Sequence, residues 1–195
     1  MNVSIGRQVK VALDMWEAGD QGQALIHNIL AVAATSKRTH RKKKEDKIAF
    51  LKFIKDNIGI ITSFGLNVAQ LGGLFFGGPD NKHSLEEILY DIRCHLIHEL
   101  KLPEKVQFTE NIIGGNGDPF LLPKNIILGL IAAVVVAPVN SLEYLPPQYI
   151  FTVNGKTIKI NDYWGKKDEF LYWFESARKS HTTPQNNGVE GIKQE

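Results

Sequence analysis

Apolar residues recur at intervals of three and four through most of the first hundred residues, which is the spacing of amphipathic helices that bury one face. A glycine-containing break at 19–22 divides the region 7–35 into two helices or one kinked helix. A further helix is predicted from the acidic pair at 45–46 to about residue 68. Its predicted buried face consists of Ile48, Leu51, Ile54, Ile58 and Ile61. These patterns predict a mainly α fold.

The segment 84–100 carries the clearest local helix signal. Ser84 and Glu87 form an S-x-x-E capping box, and Pro103 closes the helix shortly after residue 100. At about 100° per residue, Arg93 lies on the flank of the core face and His98 on the far side. The predicted core stripe is Leu85, Ile88, Leu89, Ile92 and Leu96.

Shorter elements are predicted after Pro103. Strand candidates are 106–108 and 112–113, and residues 148–153 and 156–160 flank Asn154-Gly155, a strong hairpin signal. The apolar helix at about 124–137 is too short to span a bilayer, which needs about 20 residues, and is expected in the core. A last helix is predicted over 162–179. We therefore expect a single domain at 1–179, a helical bundle with a small C-terminal β-hairpin and a closing helix, and a disordered tail at 180–195.

Composition and motifs exclude several functional classes. The chain of 195 residues is 43% hydrophobic and 23% charged, as in ordinary globular proteins, and its single cysteine excludes an intrachain disulfide and a cysteine-based zinc site. The N-terminus lacks the apolar segment of a signal peptide, so a cytoplasmic protein without membrane association is expected. Phosphate-binding loops, dinucleotide fingerprints, zinc-protease motifs and serine-hydrolase elbows are all absent from the sequence.

A basic run at 37–44 is the main local excess of charge, since the net charge of +2 alone does not indicate a nucleic-acid-binding protein. One hypothesis is that this run holds RNA phosphates; the alternative is a solvated connector. The candidate RNA-binding residues are Lys37, Arg38, Arg41, Lys42, Lys43 and Lys44.

The helix at 85–100 combines its apolar stripe with an unusual density of ionisable groups: Asp91, Arg93, Cys94, His95, His98 and Glu99. Arg93 and His98 have the spacing R-x4-H, and in this motif, together with the helices that precede it, the chain resembles the HEPN superfamily. The resemblance covers residues 7–100 best, and Cys94 stands where the family often has a small polar residue or histidine. It implies a HEPN-like helical bundle and a metal-independent endoribonuclease that acts as a homodimer without a cofactor. It also implies a role in toxin–antitoxin systems or antiviral defence, with an antitoxin or regulatory protein as a further partner.

The resemblance assigns phosphate binding to Arg93 and catalysis to His98, and both residue types suit RNA cleavage. A histidine exchanges protons near neutral pH, while an arginine forks onto a phosphate. Products would carry a 2′,3′-cyclic phosphate or a 3′-phosphate, and a 5′-hydroxyl. Asp91, Cys94, His95 and Glu99 are candidate supporting residues, with His95 expected to hydrogen-bond Asp91 or Glu99.

Several alternatives stay open at this stage. Arg93 would pair with Glu86 or Asp91 and His98 would be an ordinary surface residue if the motif were incidental. His95, His98 and Glu99 do not have the order of a known zinc motif, so no metal is expected. The alternative function is a non-catalytic HEPN-like module that binds RNA, a nucleotide or a protein in a regulatory role, and a third possibility is a purely structural dimer.

Overall fold

Helices make up most of the residues that the structure describes, so the fold is mainly α, as predicted. The computed structural model describes residues 4–41, 45–66, 75–76, 83–99, 102–104, 106–110, 120–153 and 156–179. The α-helices in these ranges are α1 Ile5–Glu17, α2 Gln21–Thr39, α3 Asp46–Asp56, α4 Ile58–Leu66, α5 Leu85–Glu99, α6 Ile126–Val135 and α7 Lys167–Lys179. None of them combines the length and apolar character that a membrane crossing requires.

Helix α2 lies at the centre of the helical core, where it packs against α1, α3, α5 and α6. The break predicted between the first two helices is present, and Gly19 adopts a positive φ of 79° there. Leu25, Ile29 and Val32 of α2 are fully buried. Asn28 is also buried, and its side-chain amide donates a 2.7 Å hydrogen bond to the carbonyl of Ile127. This bond joins α2 to the start of α6 inside the core.

The single helix predicted from 45 to 68 is wrong, because the structure has two helices separated at Asn57. The Asn57 side chain donates to the carbonyl of Phe53 at 2.8 Å and ends α3. The predicted face is also partly wrong, since Ile48 is 43% exposed whereas Phe50 and Phe53 are buried. The larger aromatic side chains therefore set which face of α3 is buried. Because the chain breaks at Asn57, the buried face of α4 does not have to continue that of α3.

Helix α6 is the predicted buried apolar helix, and all its residues except Leu128 are buried. It crosses α4 at Gly129, where a Cβ atom would lie 2.2 Å from the carbonyl oxygen of Ile61. The backbones of the two helices therefore meet directly, and only glycine fits at the contact.

The C-terminal elements pack on α4 through aromatic rings. The predicted hairpin is confirmed as strands β5 Ile150–Val153 and β6 Lys156–Lys159, and the ring of Phe64 contacts those of Phe151, Phe170 and Phe174. The last helix begins at Lys167 rather than at residue 162, because a 3-10 helix, Ile160–Tyr163, and Gly165 with a φ of 74° precede it.

Two further strand pairs are short. Strand β1 Phe75–Phe76 pairs antiparallel with β2 His83–Ser84, and β3 Val106–Thr109, which confirms the predicted strand there, pairs in parallel with β4 Phe120–Pro123. The strand predicted at 112–113, the hairpin turn at 154–155 and the tail at 180–195 lie outside the described residues.

Gly129→Ala is expected to lower the free energy of unfolding by about 3 kcal/mol, because the added methyl group overlaps the backbone of α4. Gly22→Ala in α2 is the matched control. Its added Cβ would lie 3.4 Å from Asp20 Oδ1 and from Leu102 Cδ1, which are ordinary contacts. The free energy of unfolding should therefore stay the same or rise by up to about 1 kcal/mol. Urea unfolding of both variants measures the difference. Equal stabilities would contradict direct backbone contact at Gly129.

Candidate functional site

The candidate site is carried by α5, and its start has the predicted capping box. The Ser84 N–H donates to the Glu87 carboxylate at 2.9 Å, while the Glu87 N–H donates to the Ser84 hydroxyl at 3.3 Å. The backbone and hydroxyl hydrogen bonds from Ser84 hold the pKa of Glu87 below its usual range. The predicted core stripe is also confirmed: Leu85, Leu89, Ile92 and Leu96 are buried, and Ile88 is partly buried. The orientation of every other side chain on α5 follows from this stripe.

Arg93 projects from the flank of α5 towards α3. Its side chain is 15% exposed, and its guanidinium lies 5.8 Å from the ring centroid of Phe50 and 5.5 Å from that of Tyr90. Its ion pair is with Asp46, the first residue of α3, at 3.7 Å, rather than with Glu86 or Asp91 of its own helix. Within the described part of the chain, Arg93 is therefore a cation that lies over two aromatic rings and near the carboxylate of Asp46.

Tyr90 and Cys94 lie beside Arg93 on the same helix. Burial and the hydrogen bond to Cys94 raise the pKa of Tyr90, and Arg93 acts in the opposite direction. Cys94 is half-buried and in contact with a tyrosine. The thiol is thus part of the packing around the arginine.

His98 is exposed on the last turn of α5, and so is Glu99, the residue that follows it. Of the two partners expected for His95, the structure has Glu99: His95 Nδ1 lies 3.1 Å from its Oε1. Asp91 is exposed. No cluster of three or more metal-ligating side chains occurs among the described residues, and these include His95, His98 and Glu99.

Arg93 and His98 do not converge within one chain. On an ideal helix, five residues separate them by about 140° around the axis and about 7.5 Å along it. The guanidinium lies over Tyr90, one turn towards the N-terminus, and therefore extends away from His98. Within this chain, the two members of the motif therefore face different surroundings.

The basic run begins inside α2, which continues to Thr39. Lys37 is 75% exposed, and its ammonium lies 3.6 Å from Asp46, the same carboxylate that pairs with Arg93. Arg38 instead donates to Glu143 at 2.8 Å. Arg41 is exposed, while Lys42, Lys43 and Lys44 lie outside the described residues. The structure thus brings Lys37 close to Arg93 and turns Arg38 towards another segment.

Glu143 accepts hydrogen bonds from three sources at the start of α1 and the end of α2. The donors are the Ser4 hydroxyl at 2.6 Å, the Gly6 N–H at 2.8 Å and Arg38. The Glu143 side chain is only 13% exposed. Burial acts to raise the pKa of Glu143, but these hydrogen bonds and the charge of Arg38 outweigh it, so the pKa lies below its usual range. Glu143 is therefore an ionised carboxylate that connects its own segment to the start of α1 and the end of α2.

The sequence analysis did not identify the residues that contact Arg93 and Arg38 in the folded chain. Tyr90 is three positions away on α5, so helical spacing alone would have indicated that contact. Asp46 and Phe50 come from α3, and Glu143 lies 105 residues from Arg38. No local pattern reports such contacts, although Asp46 was noted as an acidic helix start.

The comparisons with known proteins identify relatives but no activity. A protein-family model described as Rv1289 matches residues 4–187. The chain is 26% identical over 184 residues to uncharacterized protein Rv1289 of Mycobacterium tuberculosis and, equally, to uncharacterized protein Mb1320 of Mycobacterium bovis. Each match covers 87% of this chain and 87% of the relative. No solved structure matches the chain significantly.

Glu143→Gln is expected to lower the free energy of unfolding by about 1–3 kcal/mol at pH 7, because it removes the charge that Arg38 faces. Since the folded-state pKa is below the ordinary value of 4.5, the stabilisation is complete above that pH and is lost as the pH falls through the folded-state pKa. Thermal unfolding between pH 7 and pH 3 should show wild type and variant converging in acid.

Glu169→Gln serves as the control, because Glu169 is a well-exposed residue 3.7 Å from Lys166 on the surface. It should change stability at pH 7 by less than about 0.5 kcal/mol. A Glu143→Gln variant as stable as wild type at pH 7 would contradict the structural role of this carboxylate.

Proposed function

We propose that this chain, which belongs to the Rv1289 family, is a metal-independent endoribonuclease acting through Arg93 and His98. The observation that carries the proposal is that α5 keeps both residues outside the core, although the same helix buries Leu89, Ile92 and Leu96. The resemblance of the R-x4-H motif to the HEPN superfamily supports the same activity. The role in toxin–antitoxin systems or antiviral defence, with a further protein partner, is proposed from that resemblance alone.

The chemistry assigned to the two residues is transfer of the phosphate to the neighbouring 2′-oxygen. The 2′-oxygen attacks the phosphorus, and the bond to the 5′-oxygen breaks. The proton of the 2′-hydroxyl leaves and the departing 5′-oxygen gains one; His98, exposed at the end of α5, exchanges protons in this step. Arg93 stabilises the charge on the phosphate oxygens. Each group thus has one role and needs no metal ion.

The proposed active unit is a homodimer in which Arg93 of one protomer and His98 of the other act on one phosphate. The support for this arrangement is that the Arg93 guanidinium extends away from the His98 of its own chain. A two-fold axis beside α5 would present the motif of each chain to the other. The dimers implied by the family resemblance also bring two motifs together.

A second candidate function is RNA binding without cleavage, in a regulatory role. The specific observation in its favour is that Arg93 already packs on Phe50 and Tyr90 and pairs with Asp46. An arginine held in this way can bind a phosphate even if no histidine reaches the same phosphodiester. Turnover distinguishes the two candidates.

His98→Ala and Arg93→Ala should each reduce RNA cleavage by at least about 100-fold, because each removes a group needed at the reacting phosphate. The assay uses labelled total RNA in excess EDTA, with product ends read by mass spectrometry. His83→Ala and Arg7→Ala are matched controls, since both residues are exposed outside the motif and should keep wild-type rates. Cleavage by wild type should leave cyclic phosphate and 5′-hydroxyl ends.

Mixing the two inactive variants tests the shared site. If Arg93 and His98 come from different protomers, half of the dimers formed on mixing are heterodimers, each with one intact site of two. About one quarter of wild-type activity should therefore return. No recovery would place both residues of the active pair in one chain. Intact RNA with wild type, together with measurable RNA binding, would overturn the nuclease and favour the binding module.

A further inference from the structure

Three helices meet at the carboxylate of Asp46. Lys37 from the end of α2 approaches it to 3.6 Å, and Arg93 from α5 approaches it to 3.7 Å. Asp46 itself is the first residue of α3. Two cations that are distant in the sequence thus converge on one negatively charged group at the candidate site.

Both ion pairs are weak by their geometry. The two distances exceed the range of a direct hydrogen bond, and the Asp46 side chain is 54% exposed to solvent. Lys37 is also well exposed, so solvent and salt screen its attraction to Asp46. A ligand that displaces this carboxylate gives up little.

Arg93, by contrast, is well prepared to bind an anion. The rings of Phe50 and Tyr90 restrict its guanidinium and shield it from most of the surrounding water. An arginine that is already oriented loses less side-chain entropy when it binds, and its N–H groups match the oxygens of a phosphate. Among the described residues, Asp46 is the carboxylate at ion-pair distance from Arg93, and 3.7 Å is too long for a direct hydrogen bond.

We infer that Lys37 and Arg93 form a phosphate subsite for the RNA backbone, and that Asp46 occupies it when no RNA is bound. This inference rests on the proposed function for the identity of the ligand as RNA. A backbone phosphodiester offers two negatively charged oxygens, one for each cation. When it binds, Asp46 turns towards solvent, where its charge still lies at the N-terminal end of α3, which favours a negative group. Asp46 is therefore a built-in competitor that lowers RNA affinity.

The test is binding of a fluorescent 20-nucleotide RNA with 2′-O-methyl groups, which the proposed reaction cannot cleave. Asp46→Asn removes the competing charge and should tighten binding by about 3- to 10-fold. Glu45→Gln is the matched control, because it removes the same charge from the preceding, exposed residue, which makes no side-chain capping hydrogen bond. It should change the affinity less than about 2-fold through the general field alone.

The source of the gain is checked in a second background. Arg93→Ala removes one of the cations, so Asp46→Asn added to Arg93→Ala should tighten binding clearly less than it does in the wild-type chain. Thermal unfolding of each variant confirms that the compared proteins are folded. Inorganic phosphate at constant ionic strength should compete more weakly than unlabelled RNA if the subsite belongs to a longer backbone-binding surface.

The outcomes separate this inference from the nuclease. If Asp46→Asn tightens binding through Arg93 but wild type cleaves no RNA, the subsite is correct and the nuclease is wrong. If wild type cleaves RNA through Arg93 and His98 but Asp46→Asn binds no better than Glu45→Gln, the nuclease stands and the competitor is wrong. Absence of RNA binding by both wild type and Asp46→Asn would overturn the subsite as well.

Discussion

Basic side chains at the end of α2 face carboxylates from three places in the chain, and the firmest of these pairs is Arg38 with Glu143. Lys37, Arg38 and His40 leave a helix that is otherwise packed in the core, and each faces a carboxylate from a different place. Lys37 faces Asp46 at the start of α3, Arg38 faces Glu143 in the segment after α6, and His40 Nε2 lies 3.7 Å from Asp56 at the end of α3. The cations among them, Lys37 and Arg38, are also favoured at a helix C-terminus. The end of α2 thereby lies beside both ends of α3 and the segment around Glu143.

The predictable part of the structure is the part encoded locally. The capping box of Ser84 and Glu87 and the buried stripe of α5 follow from spacing within a few turns, and both are present as predicted. The orientation of α3 was not predictable in the same way. Ile48 and Phe50 are both candidates for burial by hydrophobicity, but only Phe50 is buried against the neighbouring elements and Ile48 is exposed. The partners of Arg38 and Arg93 come from distant segments, so no periodicity in the sequence could identify them.

The same ion pairs reduce the positive charge that the basic run at 37–44 presents to solvent. Counted along the sequence, 37–44 is a strongly cationic segment, but Lys37 and Arg38 face carboxylates in the folded chain. The two pairs differ in strength. Glu143 is partly buried and accepts three hydrogen bonds, so Arg38 is fixed in place, whereas Asp46 is exposed and only approaches its cations. The number of lysines and arginines in the run therefore overstates the positive charge of this part of the surface.

Arg93 packs against aromatic rings and is also the residue proposed to bind a phosphate. A guanidinium that stacks on aromatic faces uses its planar surface, while its N–H donors lie in the plane and point away from the rings. Contact with Phe50 and Tyr90 is therefore compatible with phosphate binding, and it orients the group before any ligand arrives. The structural role of Arg93 does not by itself argue against a functional one. The position of His98 separates the proposed nuclease from a binding module, because this residue lies exposed at the end of α5 and the nuclease requires it at the same phosphate as the arginine.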